Sequence, residues 1–380
     1  MAKRRQPSSA RKSKNTRGNF ISEWFGQRVF PLVRLDVKAL RHGSCPFLSD
    51  VLEDETDCVK NENSKGVCTI SSASNGPRQD WLVCPYRVID TEIVTGACER
   101  IFGSKLSARP TAASLLESSR VRGSFRKQVA KTGVGYLFFQ DKLGGEISVL
   151  GTAKSPEIAF DITVVEIVYD SGRFVLGRYG ILEVQTMDFH GSYKKAVSNL
   201  RDGLRLHKSK FSMVLKDNLS WTGEGVEGPN IANVFKRTFY QVMLKFELAR
   251  KGAAAGTVLA IPQSVWDSWQ PFLGAPALDV LGDGTLAIGG GASTKGSAPN
   301  AHICVFDLDA ESHQPVSDVR IKHFIRVSPQ QLSHHAFSVV PENMLEAVKG
   351  DKSILATIKA RLRPLWPEVE LPQAGERPRD

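Results

Sequence analysis

The chain has 380 residues, a formal net charge of +10 at pH 7, 41% hydrophobic residues and 24% charged residues. This composition is typical of a soluble globular protein with one large domain or two smaller ones, and it excludes a disordered chain. No apolar run approaches the roughly 18 residues that a membrane-spanning helix needs. No apolar stretch follows the N-terminal basic residues, so we expect no secretory signal and predict a cytoplasmic protein.

The positive charge is concentrated at the N-terminus. Residues 1–17 contain seven basic residues and no acidic one, so the rest of the chain carries 10 − 7 = +3. We predict a disordered basic arm over residues 1–18 that can follow the phosphates of DNA. A solvated tail without a function, or a nuclear-import patch, fits the same composition.

Four of the six cysteines fall within forty residues: Cys45, Cys58, Cys68 and Cys84. The segment between them is polar and rich in turn residues, so it needs a covalent or metal cross-link to fold, and disulfides are disfavoured inside cells. We predict that residues 19–90 form a subdomain in which four thiolates bind structural zinc or iron. Scattered free thiols are the alternative. Cys98 and Cys304 lie among apolar residues, and we interpret them as packing residues.

Hydrophobic periodicity predicts further elements along the chain. Residues 91–130 are expected to be helical, and residues 194–210 are expected to form a basic helix. A long helix is expected from Asn230 to about Gly252, because its apolar residues recur at helical spacing. Apolar runs predict strands over residues 135–139, 257–261 and 302–306.

A predicted β-hairpin carries the main functional signal. Residues 162–169 and 174–184 are rich in strand-forming residues and flank a turn that contains Gly172. Equal arms around Gly172 place Asp161 opposite Glu183, and Gln185 shares the face of Glu183. Both carboxylates have apolar neighbours in the chain, and a carboxylate at the edge of a core needs a cation or hydrogen-bond donors. We therefore predict a divalent-metal site, with a solvated strand face as the alternative.

Such a site suits the hydrolysis of phosphodiesters. Asp161 and Glu183 would bind Mg²⁺, which prefers few protein carboxylates together with water and substrate oxygens. The ion lowers the pKa of a bound water and neutralises charge on the phosphate. Glu146, from the preceding segment, is predicted to add a ligand directly or through water, and a surface glutamate is the alternative.

The residues of this site resemble a known motif. Asp161 followed by Glu183, Val184 and Gln185 resembles the PD-(D/E)xK nuclease motif, with Gln185 in place of the usual lysine. Longer runs resemble the NotI-like type II restriction endonucleases, above all RYGILEVQTMDFHGSYK (178–194) and EGPNIANVFKRTFYQ (227–241). Shorter matching runs are 19–26, 45–48, 80–85, 142–148 and 260–266. The similarity is firm over residues 19–270, weaker to about residue 366 and absent in the basic arm.

The resemblance implies an α/β (α+β) fold. Residues 91–366 would form a PD-(D/E)xK restriction-endonuclease-like core, with a mixed central sheet flanked by helices, beside the small four-cysteine metal-binding subdomain. A flexible tail would follow over residues 367–380. The resemblance further implies a Mg²⁺-dependent homodimer that cuts both strands of a GC-rich palindrome in double-stranded DNA, and a cognate DNA methyltransferase in the same system. The family's catalytic group falls on Glu146, Asp161, Glu183 and Gln185, and its structural iron site on the four clustered cysteines.

Seven residues are candidates for contacts with DNA: Arg178, Met187, Asp188, His190, Lys194, Lys236 and Arg237. Basic side chains can donate hydrogen bonds to guanine and acidic ones can accept from cytosine, so Asp188, His190 and Lys194, with Arg178, are predicted to lie at base edges. Lys236 and Arg237 are predicted to contact backbone phosphates. Each of the base-reading candidates fits a phosphate contact or a structural hydrogen bond equally well. A non-specific or repair nuclease, and a DNA-binding protein without catalysis, are the alternative functions.

Overall fold

The computed structural model describes residues 18–74, 76–252, 254–289, 300–309, 316–349 and 353–370. Residues 1–17 of the predicted basic arm and residues 371–380 of the predicted tail lie outside these ranges. The chain divides into two units. The first unit takes the residues up to Ile89 together with Thr186–Asn230 and Asp309–Asp318, and the second takes Asp90–Gln185, Ile231–Leu308 and the residues from Val319 onward. The sequence prediction placed residues 186–230 and 309–318 in the nuclease domain, whereas the structure groups them with the N-terminal segment.

The strands are, in chain order, β1 (Asn19–Trp24), β2 (Gln27–Arg28), β3 (Val67–Ser72), β4 (Gln79–Leu82), β5 (Thr111–Ala112), β6 (Val134–Phe139), β7 (Ile147–Val149), β8 (Ile158–Phe160), β9 (Ile162–Asp170), β10 (Arg173–Val184), β11 (Phe189–Gly191), β12 (Val226–Pro229), β13 (Ala254–Pro262), β14 (Leu278–Val280), β15 (Leu286–Ile288), β16 (Asn300–Leu308) and β17 (Val319–Arg326).

The α-helices are α1 (Val37–His42), α2 (Pro46–Leu52), α3 (Thr91–Phe102), α4 (Ser119–Thr132), α5 (Lys194–His207), α6 (Phe211–Asp217), α7 (Ile231–Lys251), α8 (Gln263–Leu273), α9 (Pro329–His334), α10 (Val340–Ala347) and α11 (Ile354–Leu362). Short 3₁₀ segments lie at Pro85–Val88, Ala113–Glu117, Lys208–Lys210 and Leu219–Thr222, and a π-helical turn lies at His335–Val339.

The first unit contains a four-stranded antiparallel sheet in the order β2-β1-β3-β4, and a separate antiparallel pair of β11 and β12. Ile21, Ile70 and Trp81 from this sheet are almost completely buried. Apolar side chains in the strands therefore supply a core in a region whose loops are mostly polar.

The second unit contains a nine-stranded mixed sheet in the order β14-β15-β17-β16-β13-β10-β9-β6-β5. Strand β10 pairs antiparallel with β9 and parallel with β13, and β13 pairs parallel with β16. Helices α3, α7 and α8 pack against this sheet. Residues 256–262 of β13 are buried without interruption, as expected for a central strand with neighbours on both sides. The prediction of a mixed α/β fold with a large sheet flanked by helices is confirmed.

One predicted helical region is a single helix in the structure, and the other is divided into two helices. The long helix predicted from Asn230 is α7, whose buried residues include Val234, Val242 and Phe246. The helical region predicted over residues 91–130 is instead two helices, α3 and α4, separated by β5 and a 3₁₀ turn. Helix α3 ends because Gly103 takes the left-handed conformation, with φ of +70°. None of the helices in the described ranges is both long enough and apolar enough to cross a membrane.

Candidate active site

The predicted hairpin is formed by β9 and β10. A two-residue turn at Ser171 and Gly172 joins the strands, and both residues have positive φ, at 49° and 81°. This turn closes the pair Asp170–Arg173, so the symmetry centre lies between Ser171 and Gly172 and not on Gly172 as predicted. Positive φ at both central positions is the conformation that fits the right-handed twist of a hairpin.

An extra residue in β10 changes the register of the hairpin. Between the pairs Leu176–Ile167 and Tyr179–Val165, two residues of β10 face the single residue Glu166. Beyond the bulge the strands pair Leu182 with Ile162, and the next position in this register sets Glu183 opposite Asp161. The register of the turn alone would have set Phe160 opposite Glu183. Asp161 and Glu183 therefore face each other as predicted, but only because the bulge shifts the register by one residue. The prediction from equal hairpin arms did not include this bulge.

Arg178 and Glu166 hold the bulge. The carboxylate of Glu166 accepts hydrogen bonds from the backbone N–H of Arg178 at 3.2 Å, and from its Nε and Nη2 at 2.9 and 2.7 Å. The guanidinium also lies over the ring of Phe102 at 5.5 Å. The hydrogen bonds that Arg178 donates to Glu166 raise the pKa of Arg178. In this structure the side chain predicted to read a base pairs with a nearly buried glutamate.

A second strand pair brings Glu146 to the same place. Strands β7 and β8 pair antiparallel, with Ile147 opposite Phe160. The next position in this register sets Glu146 opposite Asp161. Glu146 is exposed, and its pKa is raised by partial desolvation and then by the charges of Asp161 and Asp141. Two independent strand registers therefore align Glu146, Asp161 and Glu183.

Asp161 and Glu183 have different surroundings. Oδ2 of Asp161 accepts a hydrogen bond of 2.9 Å from the backbone N–H of Val184. Glu183 is only 5% exposed, and its Oε1 is buried without a hydrogen-bond partner among the described residues. Burial, reinforced by the charge of Asp161 and opposed by Lys245, raises the pKa of Glu183 to about 8. A buried carboxylate oxygen without a donor is a position that a cation would occupy favourably.

Helix α7 supplies two contacts that the sequence analysis missed. Lys245 donates a hydrogen bond from Nζ to Oε2 of Glu183, and the two side chains form a buried ion pair. Thr238 donates from Oγ1 to Oε1 of Gln185 at 2.5 Å. Thr238 and Lys245 are seven residues apart and so lie on one face of the helix. A lysine at helical spacing from Val242 and other apolar residues was the signal available in the sequence.

The four clustered cysteines lie in the first unit. Cys45 and Cys84 each precede the first turn of a helical segment. The backbone N–H of Gly26 donates to Sγ of Cys68 at 3.4 Å, and that of Gly66 donates to Sγ of Cys58 at 3.3 Å. Backbone amides that donate to sulfur stabilise thiolates, the form that binds metals.

Hydrogen bonds and charges within the cluster shift the pKa values of its cysteines. A hydrogen bond with Cys68, together with the charge of Lys60, lowers the pKa of Cys84 to about 6. Burial raises the pKa of Cys45 to about 11, and the charges of Cys84 and Cys58 add to this effect. Within the described ranges, however, no group of three or more His, Cys, Asp or Glu side chains has a metal-binding arrangement. The predicted four-thiolate centre is thus not assembled as a complete set of ligands, and Glu146, Asp161 and Glu183 likewise do not form a metal-binding group of three within the described part of the chain.

The remaining DNA-binding candidates differ in their accessibility. In the first unit, Asp188 and His190 are exposed, and Lys194 is exposed at the start of α5. Met187 is only 1% exposed, which corrects its prediction as a contact residue, because a buried thioether packs and does not reach a ligand. In the second unit, Lys236 and Arg237 are exposed on α7, on the side predicted from the apolar stripe.

Comparison with known families finds no family model that matches the chain, and comparison with curated proteins finds no match.

Proposed function

We propose that the chain is a Mg²⁺-dependent type II restriction endonuclease of the NotI-like group in the PD-(D/E)xK superfamily. It hydrolyses one phosphodiester bond in each strand of a GC-rich palindromic DNA site. The observation that carries the proposal is the alignment of Glu146, Asp161 and Glu183 by two strand registers, with Gln185 two residues beyond Glu183. The two registers belong to the separate β7–β8 pair and to the nine-stranded sheet, and Asp161 lies between them; the resemblance assigns the aligned residues to catalysis.

The donor set fits Mg²⁺. Asp161 and Glu183 provide carboxylate oxygens, one of which is buried without a partner among the described residues, and the exposed Glu146 can reach a bound ion through water. Two carboxylates with water and phosphate oxygens are a common environment for this ion. When bound, Mg²⁺ would acidify the attacking water and neutralise charge on the scissile phosphate.

Hydrogen bonds within the protein orient the groups that would hold the metal ion and the attacking water. Val184 fixes the carboxylate of Asp161 through its backbone N–H, and Thr238 fixes the amide oxygen of Gln185. Gln185 is neutral at every pH, so it orients water by hydrogen bonding and does not remove a proton. The activation of water therefore rests on the metal site, which makes a steep dependence of rate on pH and on the identity of the metal an expected property.

The fold of the second unit supports the proposal. Glu183 lies near the carboxyl end of β10, between the antiparallel strand β9 and the parallel strand β13, and Asp161 directly precedes β9. A rigid central strand holds metal ligands more accurately than a loop does. A mixed sheet flanked by helices is also the core that the resemblance implies.

The cysteine cluster is proposed to bind one structural metal ion, iron by resemblance and zinc by the same donor chemistry. The tendency of Cys84 to ionise and the backbone N–H groups directed at the sulfurs support thiolate ligation. Cys45, Cys58, Cys68 and Cys84 would hold the ion. With four thiolates it would stabilise the N-terminal subdomain and take no part in catalysis.

The partners and the location follow from this function. A palindromic site has two equivalent scissile bonds, which a homodimer with twofold symmetry can cut at once. The exposed Asp188, His190 and Lys194, with Lys236 and Arg237, are proposed to contact double-stranded DNA. A cytoplasmic enzyme of this kind requires a cognate methyltransferase that protects the host DNA.

Incubation of plasmid DNA with the purified protein, with and without Mg²⁺, tests the proposal. Discrete fragments that require Mg²⁺ are expected, and sequencing their ends gives the site and the overhang. The variant Glu183→Ala, purified identically, controls for contaminating nucleases. Random fragments would indicate a non-specific or repair nuclease, and a mobility shift without cleavage would indicate a DNA-binding protein without catalysis.

A further inference from the structure

A buried lysine lies beside the carboxylates. Lys245 is 5% exposed and belongs to the face of α7 that buries Val242, Phe246 and Ala249. An ammonium group on such a face is unfavourable unless an opposite charge pairs with it. Glu183 supplies that charge through Oε2. The packing of α7 alone would favour an apolar residue, so the lysine reflects the needs of the carboxylate site.

The three carboxylates carry more negative charge than Lys245 alone can neutralise. Glu146, Asp161 and Glu183, when ionised, carry −3 together, and Lys245 reduces the sum to −3 + 1 = −2. The remaining charge matches one divalent cation. Oε1 of Glu183, which has no partner among the described residues, is the oxygen left for that cation.

We propose that Lys245 is a positioning residue that acts through Glu183. It holds Oε2 and serves as the counter-charge of the carboxylates, so that its ammonium group and a divalent cation compete for the same negative charge. The inference rests on the proposed function in one respect, since it takes Glu183 as a ligand of the catalytic metal. It adds a residue on helix α7 that tunes how tightly the site binds its cation.

Thermal unfolding in EDTA and in a titration with Ca²⁺ or Mg²⁺ tests the inference at about pH 8.5 and again at about pH 9.5, because the removal of Lys245 raises the pKa of Glu183 further and the comparison needs an ionised carboxylate. Compared with the wild type, Lys245→Met is expected to unfold at a lower temperature in EDTA, because Glu183 loses its counter-charge. It is also expected to gain more stability from the cation, with a half-saturating concentration lower by on the order of tenfold. Lys245→Arg keeps the charge and should resemble the wild type. Lys251→Met, which removes an exposed lysine of the same helix, is the matched control.

The outcomes separate the inference from the proposed function. An unchanged half-saturating concentration in Lys245→Met would show that Lys245 only supports the fold, and would overturn the inference. If Lys245→Met folds only with the cation, the inference is supported; if it does not fold at all, Lys245→Gln is measured against the same criterion. The absence of any cation effect on the wild type overturns both the metal site and this inference. A cation effect without DNA cleavage overturns only the nuclease.

Discussion

The backbone N–H of Val184 donates a hydrogen bond of 2.9 Å to Oδ2 of Asp161, which ties this carboxylate to the strand that carries Glu183. The bond crosses from the residue before β9 to the last residue of β10, where the hairpin ladder ends. The other carboxylate oxygen, Oδ1 of Asp161, takes no part in this bond. The backbone of the sheet thus orients the carboxylate of Asp161 before any cation binds.

Replacing Asp161 with asparagine keeps the size of the side chain and an oxygen for the Val184 bond, but removes the charge. We expect Asp161→Asn to lower the cleavage rate by more than about a hundredfold, since a catalytic metal contributes several kcal/mol to stabilising the transition state. Binding of the DNA site in Ca²⁺ should be retained. Single-turnover cleavage and a binding assay measure the two effects. Glu157→Gln, at an exposed glutamate between β7 and β8, is the control and should cut at the wild-type rate.

The contact between Thr238 and Gln185 predicts a graded loss of activity. Gln185→Ala removes the amide that orients the water, and Thr238→Val removes only the hydrogen bond that orients the amide. By analogy with residues that orient metal ligands, we expect a loss of about 10-fold to 100-fold for Thr238→Val, and a larger loss for Gln185→Ala. Single-turnover rates at saturating Mg²⁺ measure both variants. Wild-type cleavage by Gln185→Ala would show that Gln185 has no role in the reaction.

The raised pKa of Glu183 predicts how the stability of the metal-free protein depends on pH. The ordinary pKa of a glutamate is 4.5, and in the folded protein the pKa of Glu183 is about 8. Above about pH 4.5 the unfolded chain loses this proton while the folded chain keeps it, so the free energy of unfolding falls as pH rises toward about 8. The total loss is on the order of a few kcal/mol. Unfolding in EDTA between about pH 5 and 9 should therefore show a steeper decline for the wild type than for Glu183→Gln. Parallel curves would mean that Glu183 ionises normally.

The sequence could predict the elements of the site but not all of their geometry. The tight turn, the long helix α7 and the polar residues at the end of β10 follow from local composition and periodicity. The bulge opposite Glu166 does not, because it coincides with an ion pair between Glu166 and Arg178 that joins two strands. The association of residues 186–230 with the N-terminal segment also depends on contacts far apart in the chain. Lys245 was visible as a charge within an apolar stripe, but its partner Glu183 lies 62 residues away.

Arg178 is expected to contribute mainly to stability. Arg178→Ala leaves Glu166, which is 6% exposed, without its guanidinium partner. The side chain of Arg178 is more than half exposed, which reduces the energy of the pair. We expect the free energy of unfolding to fall by about 1–3 kcal/mol, as measured by denaturant titration. The double variant Arg178→Ala with Glu166→Gln should recover part of the loss. Unchanged stability combined with lost site-specific binding would instead establish Arg178 as a reader of DNA.

If the four clustered cysteines bind a metal ion, the metal content of the purified protein should depend on Cys84 and not on Cys98. Cys84 belongs to the cluster and hydrogen-bonds with Cys68, which lowers the pKa of Cys84, whereas Cys98 lies outside the cluster and is completely buried on α3. Cys84→Ser should therefore lose the iron or zinc of the purified protein and unfold at a lower temperature, because the polar N-terminal subdomain loses its cross-link. Cys98→Ala should retain the metal and be destabilised only by the small cavity that it creates. Elemental analysis by mass spectrometry and thermal unfolding provide the two measurements. Equal metal content in both variants, or none in the wild type, would contradict the thiolate site.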